Sequence, residues 1–400
     1  MRLTLIQILK LTLCSCLICV IFFQKNVQAQ ELNLFSDKAI SIIADSGEVI
    51  YEKNSTMKDY PASTTKVMTA ILMMEYLKDN QTITMSKRSL QEEKSNSQIL
   101  FSEGEKLDRN TALKAMMILS ANDLAYAIGE TVAGDMNSFV KMMNDKAKEI
   151  GAKDTHFVTP NGLHDPNHYT TAYDLALIAK EALKYPLIIK AMGTKSAYIT
   201  TSMQNHKYIF NRSKMFKNPY FIAGKTGYTN ESRNTLIEID RKDGQTIINI
   251  LLRSSKPQYL TDIKMLDSYA FPRIRTKILS KKSDWKKEIS VDDYKIQTKL
   301  SKDISFLTTT NSNNFQILVK PIPILEEKFK KNGIPKNQKI GKVEVWENDL
   351  RIMDVDLLSA KTYEKPKLIP LSTMIIVGSI MFLFLFNLMI RPRKKQREFL

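Results

Sequence analysis

The stretch YPASTTKVMTA, at residues 60–70, joins a turn to an apolar helical segment. Tyr60 and Pro61 are typical of a turn, and apolar residues then recur every three or four positions, which predicts a helix over residues 65–78. Residues three apart lie on one face of a helix, so the Ser63 hydroxyl and the Lys66 amine can meet. Alone this Ser-x-x-Lys pair is a weak signal, because the same spacing recurs at residues 55–58, 138–141 and 283–286.

Two further motifs follow Ser63 in the chain. Ser120-Ala121-Asn122 lies within a predicted helix over residues 110–132, and Lys225-Thr226-Gly227, which occurs once, lies in a strand-like setting. A serine hydroxyl is a poor nucleophile unless a base takes its proton. Lys66 can act as that base only when neutral, which requires burial or a second cation nearby, and Lys225 could supply that cation. The order of the three motifs is typical of serine enzymes that form an acyl intermediate.

Outward from these motifs, residues 30–274 mix strands with helices. Residues 39–44 are predicted to be a buried strand, residues 49–51 its returning partner, and residues 246–252 another strand. Further helices are predicted over residues 136–150 and 171–184. From residue 275 to 366 the helical periods stop and short strand-like runs appear, at 316–319 and 342–346, which predicts a small β-rich stalk domain.

The amino terminus is interpreted as a cleaved signal peptide, residues 1–29. Two basic residues precede an apolar run over residues 11–23, and VQA at 27–29 is close to the small-x-small pattern of a cleavage site. An uncleaved anchor is the alternative, and LCSC at 13–16 partly resembles a lipidation site. All three cysteines lie at positions 14–19, so cleavage would leave a mature chain without a thiol. A disulfide scaffold and a cysteine nucleophile are then both excluded.

The carboxyl end predicts a membrane tether. Residues 368–390 contain no charged side chain, which suits a transmembrane helix. Residues 391–400 follow with five basic side chains, and positive charge stays on the cytoplasmic side. We therefore expect a single-pass protein of the cell membrane with a cytoplasmic basic tail and an extracytoplasmic catalytic domain.

The overall composition is that of a globular protein, with 43% hydrophobic and 25% charged residues over 400 positions. The net charge of +17 is concentrated partly at the two ends and otherwise scattered among acidic residues. Because no basic stripe interleaved with aromatic residues is present, the sequence predicts no nucleic-acid partner.

The motifs together resemble the D-alanyl-D-alanine carboxypeptidases of the low-molecular-mass penicillin-binding family. The resemblance covers roughly residues 36–360, and the matching segments are DSGEVIY at 45–51, residues 60–70, SAND at 120–123, NGL at 161–163, HYTTA at 168–172 and, more loosely, the run that begins at Ile340-Gly341. It implies an α/β fold, a penicillin-binding/β-lactamase-like domain with helices around an antiparallel sheet, followed by a small β-rich domain.

The resemblance also implies an activity and the roles of individual residues. The substrate would be a peptidoglycan stem peptide, whose terminal D-alanine leaves through an acyl-enzyme on Ser63, and β-lactam antibiotics would acylate the same serine; no metal or cofactor is needed. Ser120 would relay a proton to the leaving amine and Asn122 would orient Lys66 and the substrate. The substrate carboxylate would be held at Lys225 and Thr226. The backbone N–H groups of Ser63 and Tyr228 would form the oxyanion hole, and Gly227, the last residue of its motif, directly precedes Tyr228.

Three departures from the family pattern limit what the resemblance implies for this chain. Gly224 stands where a hydrophobic residue usually precedes Lys-Thr-Gly, and GQTII at 244–248 lacks the arginine that often binds carboxylate. The missing arginine weakens the expected preference for a free substrate carboxylate, and DD-endopeptidase activity is the first alternative. The third departure is the anchor, because many family members use an amphipathic helix where this chain has a predicted spanning one.

Three other interpretations remain. A tethered β-lactamase of class A would need a glutamate to activate water, but residues 151–171 contain none. A catalytically idle peptidoglycan-binding protein would not need the intact motifs. Zinc could be suggested by HDPNH at 164–168, but Pro166 disfavours the helical spacing that zinc proteases use.

Overall fold

The computed structural model describes residues 32–94, 98–255, 258–291, 294–310, 312, 314–323, 325–347, 350–366 and 371–390. The predicted signal peptide and basic tail lie outside these residues. The described chain divides into two compact units. The first contains residues 32–44 and 49–273, and the second contains residues 45–48 and those from 274 onward.

An antiparallel sheet of five strands, in the order β2-β1-β9-β8-β7, lies at the centre of the first unit. The strands of this unit are β1 (Lys38–Ile43), β2 (Val49–Lys53), β3 (Thr82–Thr84), β4 (Lys106–Asp108), β5 (Ser196–Ile199), β6 (Lys207–Phe210), β7 (Phe221–Thr229), β8 (Arg233–Lys242) and β9 (Gln245–Ser254). The apolar run in β9 is buried on both faces, as expected for an interior strand. The strands predicted at residues 39–44, 49–51 and 246–252 are confirmed, and β3–β4 and β5–β6 form two separate antiparallel pairs.

Seven helices of the first unit are described: α1 (Lys66–Tyr76), α2 (Arg109–Leu119), α3 (Asn122–Ala133), α4 (Met136–Glu149), α5 (Ala172–Ala182), α6 (Pro186–Met192) and α7 (Tyr259–Ala270). Helix α1 is apolar nearly all round, and its first eight residues are buried. A helix without a polar face belongs inside a core. It therefore carries Lys66, the last residue of the Ser-x-x-Lys motif, into the interior of the unit.

The single helix predicted over residues 110–132 is wrong, because the chain breaks between α2 and α3. Ser120 adopts the left-handed conformation (φ 59°, ψ 30°) and Ala121 is extended. The apolar pattern conceals this break, since residues on both sides of it are buried. Ser120 therefore lies at a corner between two helices, and not within a helix as the pattern suggested.

The second unit contains a second five-stranded antiparallel sheet, in the order β11-β12-β16-β15-β14, and a separate β10–β13 pair. Its elements are β10 (Arg275–Ser280), β11 (Glu288–Val291), β12 (Tyr294–Leu300), β13 (Ile304–Thr308), β14 (Phe315–Pro321), α8 (Leu325–Asn332), β15 (Lys339–Glu347) and β16 (Leu350–Ser359). The runs at 316–319 and 342–346 lie in β14 and β15. The short helix α8, which packs the fully buried Phe329 into this core, was not predicted.

A last helix, α9 (Leu371–Ile390), lies near the carboxyl end. Within the described residues, no helix has the combined length and apolarity required to cross a membrane. The transmembrane helix expected over residues 368–390 therefore stays a prediction, and residues 368–370 lie outside the described part of the chain.

Candidate active site

Ser63 lies in a tight 3₁₀ turn, Ala62–Thr65, directly before α1. Ala62 has a left-handed backbone (φ 48°), a conformation that costs a non-glycine residue about 1–2 kcal/mol. The turn is held from two sides. Thr64 and Thr235 both donate hydroxyl hydrogen bonds to the Pro61 carbonyl, at 2.7 and 2.8 Å.

A loop glycine presses against the other side of this turn. Gly162 has φ +81°, and a Cβ atom there would lie 1.9 Å from the Ala62 carbonyl oxygen. Only glycine fits this close approach. The glycine in the NGL segment at 161–163 is thus explained by packing against the nucleophile turn.

The Lys66 side chain is fully buried below Ser63. Its Nζ lies 2.9 Å from Ser63 Oγ and donates to Asn122 Oδ1 and the Asn161 carbonyl, each at 2.7 Å. Burial lowers the pKa of Lys66 well below its usual range, and the positive charge of Lys225 adds to the shift. The site therefore favours an uncharged amine beside the serine hydroxyl.

Lys225, on β7, approaches from the opposite wall. Its Nζ donates to Ser120 Oγ at 2.8 Å and to the Thr226 carbonyl at 2.7 Å. Burial lowers the pKa of Lys225 to about 7. The left-handed corner at Ser120 is what turns that hydroxyl toward β7, so the three motifs meet in one place.

A cleft of about 490 Å³ opens above these groups. The predicted site residues on its walls are Ser63, Ser120, Asn122, Thr226, Gly227 and Tyr228. The two lysines lie buried beneath them. Every residue singled out from the sequence is therefore at this cleft or directly under it.

The loop at residues 92–94 orients the two amides beside Lys66. The Glu93 carbonyl accepts from Asn122 Nδ2 at 2.9 Å, and the Glu92 carboxylate accepts from Asn161 Nδ2 at 2.8 Å. With its Nδ2 engaged, Asn122 must present its oxygen to Lys66. Sequence reasoning missed Asn161 in this role because its contribution is a backbone carbonyl, which carries no residue-type signal.

His168 was expected only as part of a polar loop, yet it is buried, with 2% of its surface exposed. Its Nδ1 accepts from the Val158 backbone N–H at 3.1 Å, so Nε2 carries the proton and donates to Thr65 Oγ1 at 2.9 Å. Burial lowers the pKa of His168 to about 3, which keeps the ring neutral. The histidine thus ties the loop that carries Asn161 to the start of α1. Within the described residues, no group of three or more His, Cys, Asp or Glu side chains is arranged so that it could hold a metal ion.

A buried ion pair anchors the segment that leads into the nucleophile turn. Asp59 accepts from Lys38 at 2.7 Å and from both the Nε and Nη2 of Arg253, at 2.9 and 2.8 Å. Burial would raise the pKa of Asp59, but the bonds from these two cations outweigh it and leave the pKa below its usual value. Asp59 also exchanges two backbone hydrogen bonds with Thr170, each of 2.8 Å. Because these contacts join residues that are distant in the sequence, no local sequence pattern predicted them.

Comparison with known proteins identifies the family of the chain. Residues 24–256 match the family model described as D-alanyl-D-alanine carboxypeptidase. The chain is 36% identical over 295 residues to the D-alanyl-D-alanine carboxypeptidase DacF of Bacillus subtilis, an alignment that covers 71% of this chain and 75% of DacF.

Two solved structures share the fold. The D-alanyl-D-alanine carboxypeptidase from Mycobacterium tuberculosis H37Rv aligns with a TM-score of 0.58 at 26% identity, over 62% of this chain and 95% of that one. A peptidoglycan synthesis regulatory factor (PBP3) from Streptococcus pneumoniae aligns with a TM-score of 0.66 at 20% identity, over 83% and 100%. The family match spans more than half of the chain and includes all three motifs. The chain therefore belongs to the D-alanyl-D-alanine carboxypeptidase family, and it is a serine-type carboxypeptidase that acts on peptidoglycan stem peptides.

Proposed function

We propose that Ser63 is the nucleophile and Lys66 its general base. The observation that carries this assignment is the 2.9 Å separation of Lys66 Nζ from Ser63 Oγ at a fully buried position. An uncharged amine has two N–H groups and one lone pair. The carbonyl oxygens of Asn122 and Asn161 take the two N–H groups, which leaves the lone pair for the Ser63 hydroxyl proton.

The reaction proceeds in two steps. Ser63 Oγ bonds to the carbonyl carbon of the penultimate D-alanine and gives its proton to Lys66. The C–N bond to the terminal D-alanine then breaks as the proton passes from Lys66 through Ser120 to the leaving nitrogen. Water next attacks the ester on Ser63, gives one proton to Lys66 and releases the shortened peptide, after which the serine regains its proton.

The position of Ser120 supports its role as the proton relay. Its hydroxyl accepts from Lys225 at 2.8 Å and stands on the cleft wall. A hydroxyl can accept one proton and pass on another, so Ser120 can transfer the proton from Lys66 to the leaving amine. The contact with Lys225 fixes the orientation of that hydroxyl on the cleft wall.

Strand β7, on one wall of the cleft, supplies the groups that face the terminal carboxylate and the reacting carbonyl of the substrate. Lys225 contributes positive charge toward the terminal carboxylate, and Thr226 a hydroxyl beside it. The backbone N–H groups of Ser63 and Tyr228 form the oxyanion hole, since Gly227 brings β7 against the Ser63 nitrogen. A β-lactam presents the same carboxylate and amide, so it acylates Ser63 and remains bound as a slowly hydrolysed ester.

The test is to incubate the detergent-purified full chain with a free stem pentapeptide and to identify the products by mass. We expect free D-alanine and a tetrapeptide, with release and fluorescent-penicillin labelling both reduced by about 10⁴- to 10⁶-fold in Ser63→Ala. Retention of both activities in that variant would refute the assignment. Cross-linked stem peptides and nitrocefin, assayed in parallel, measure the endopeptidase and β-lactamase alternatives.

We also propose that the chain is exported by residues 1–29 and held by residues 368–390 with its catalytic unit outside the cell. The support is the uncharged segment with basic residues directly after it. Apolar side chains of α9 such as Phe382 and Phe384 also stand exposed, at 68% and 65%. A chain that ends at residue 366 should appear in the culture medium, and its retention in the membrane fraction would contradict this topology.

A further inference from the structure

The β5–β6 hairpin of the first unit presents aromatic side chains on its solvent face. Tyr198 pairs directly with Tyr208, and their side chains are 58% and 53% exposed. The alternate positions point inward, where Ile199 and Ile209 are buried at 3% and 0%. An antiparallel hairpin with one buried face usually has polar residues on the other. Tyrosines on this outer face therefore serve neither the core nor ordinary solvation.

The exposed rings form a continuous row, which we call the aromatic ladder and define as His206, Tyr198, Tyr208 and Phe210. The His206 and Tyr198 rings stack at 4.2 Å with 14° between their planes, and Tyr198 and Tyr208 lie 5.2 Å apart. Tyr208 and Phe210 follow at 6.2 Å and 27°. Phenol and imidazole groups give these apolar faces hydrogen-bonding edges.

One end of the ladder reaches the active site. Phe210 lines a cavity of about 400 Å³ whose walls include Ser120, Thr226 and Tyr228, which also line the catalytic cleft. The backbone of Phe210 is fixed there, because Gln98 exchanges two hydrogen bonds with its N–H and C=O, both of 2.8 Å. The ladder thus continues the cleft surface away from Ser63.

We propose that the aromatic ladder binds the glycan strand of peptidoglycan while the attached stem peptide enters the cleft. This inference rests on the proposed function of the cleft. A pyranose ring has a face of C–H groups that stacks on an aromatic ring, and hydroxyl edges that bond to tyrosine and histidine. A row of exposed rings matches a polymer of such sugars, whereas a single small ligand would need a closed pocket.

The occupant is a polysaccharide because the ladder is continuous with the site of a peptide that is covalently attached to one. Exposed tyrosines can also bind a bilayer surface, but lipid binding would not require the ladder to extend to the rim of the cleft. Lipid binding and self-association are therefore the competing outcomes of the test.

The experiment measures binding of the full chain to fluorescent glycan strands freed of stem peptides, with the cleft blocked by penicillin. Tyr198→Ser combined with Tyr208→Ser should weaken binding at least 10-fold, while Tyr198→Phe with Tyr208→Phe should keep it. The matched control is Tyr76→Ser, a tyrosine 57% exposed at the end of α1, which should bind as the wild type does. Penicillin acylation at the wild-type rate shows that each variant is folded.

On substrate, the Ser variants should release less D-alanine from intact peptidoglycan and the same amount from a free pentapeptide. The proposal is overturned if the Ser variants bind glycan normally, if the Phe variants lose as much affinity as the Ser variants, or if the ladder binds anionic phospholipid vesicles or a second copy of the chain but not glycan. A wild-type chain that binds glycan but leaves the pentapeptide intact would instead refute the proposed function of the cleft.

Discussion

Gly227 lies so close to the backbone nitrogen of Ser63 that a Cβ atom at position 227 would stand 2.7 Å from it. The same atom would stand 2.4 Å from Thr235 Oγ1. Strand β7 therefore approaches the nucleophile turn so closely that only glycine, which has no Cβ atom, fits at position 227. Because Gly227 has no side chain, β7 can lie this close to Ser63, and this distance sets the width of the cleft there.

Gly227→Ala should displace β7 from the nucleophile turn. A shift of about 1 Å at a reacting group costs roughly 100-fold in rate, so we expect acylation by fluorescent penicillin to fall by about that factor. Gly129→Ala is the control, because its Cβ would meet only the Phe139 and Met136 side chains. It should lower the melting temperature but leave acylation of the folded protein intact. Equal loss of acylation in both variants would contradict the argument.

The rate of acylation should depend on pH through both lysines. Lys66 must be uncharged and Lys225 charged for acylation. The acylation rate should therefore rise with pH as Lys66 loses its proton. It should fall again near pH 7, where Lys225 loses its proton. Lys225→Arg keeps the charge at all these pH values, so its falling limb should disappear, although its maximum rate will be lower. The pH profile of penicillin acylation measures this. A falling limb that is unchanged in Lys225→Arg would show that another group titrates.

Three buried carboxyl groups should make the protein sensitive to alkali. Glu238, Asp240 and Asp267 share the amide groups of Asn218 and Asn249, and burial, followed by their mutual repulsion, raises the pKa of Glu238 and Asp240. Burial also raises the pKa of Asp267. Because the folded state binds these protons more tightly than the unfolded state, the contribution of these three groups to stability is fully present below about pH 4 and is lost as the pH rises through the raised values.

Glu238→Gln removes one of these groups without changing its shape. The free energy of unfolding, measured by chemical denaturation from about pH 6 to about pH 9, should therefore fall less steeply in this variant than in the wild type. The exposed Glu103→Gln serves as the control and should follow the wild-type slope. A parallel slope in Glu238→Gln would mean that the cluster is not protonated in the folded protein.

His168 should produce the opposite dependence at acid pH. Its pKa in the folded protein, about 3, lies below the ordinary value of about 6.5, so its share of the stability is present above pH 6.5 and is lost as the pH falls toward 3. His168→Leu leaves the Val158 N–H and the Thr65 hydroxyl without their ring partner, which costs about 1–3 kcal/mol at neutral pH. This variant should nevertheless lose less of its stability on acidification. Thermal melting of this variant and of the wild type at several pH values makes the comparison, and an equal loss of stability on acidification in both would contradict the role of His168.

The parts of this site that were predictable are those made by neighbours in sequence. Ser63 and Lys66 meet because three positions separate them, and the apolar run of β9 indicated its buried strand. The left-handed Ser120 has no signature in an apolar pattern, because burial continues across it. His168 and Asp59 each bond to a partner roughly a hundred or more positions away, which one sequence cannot pair.

The backbone of Ala62 holds a dihedral angle that alanine rarely visits in an unfolded chain. Apart from the local hydrogen bond of Thr64, it is maintained by segments from elsewhere in the sequence: the loop at Gly162, and strands β7 and β8. During refolding, the turn should therefore reach its native conformation only after those segments have packed against it. We expect circular dichroism to recover first and reactivity toward penicillin last, so the nucleophile reports completion of the fold.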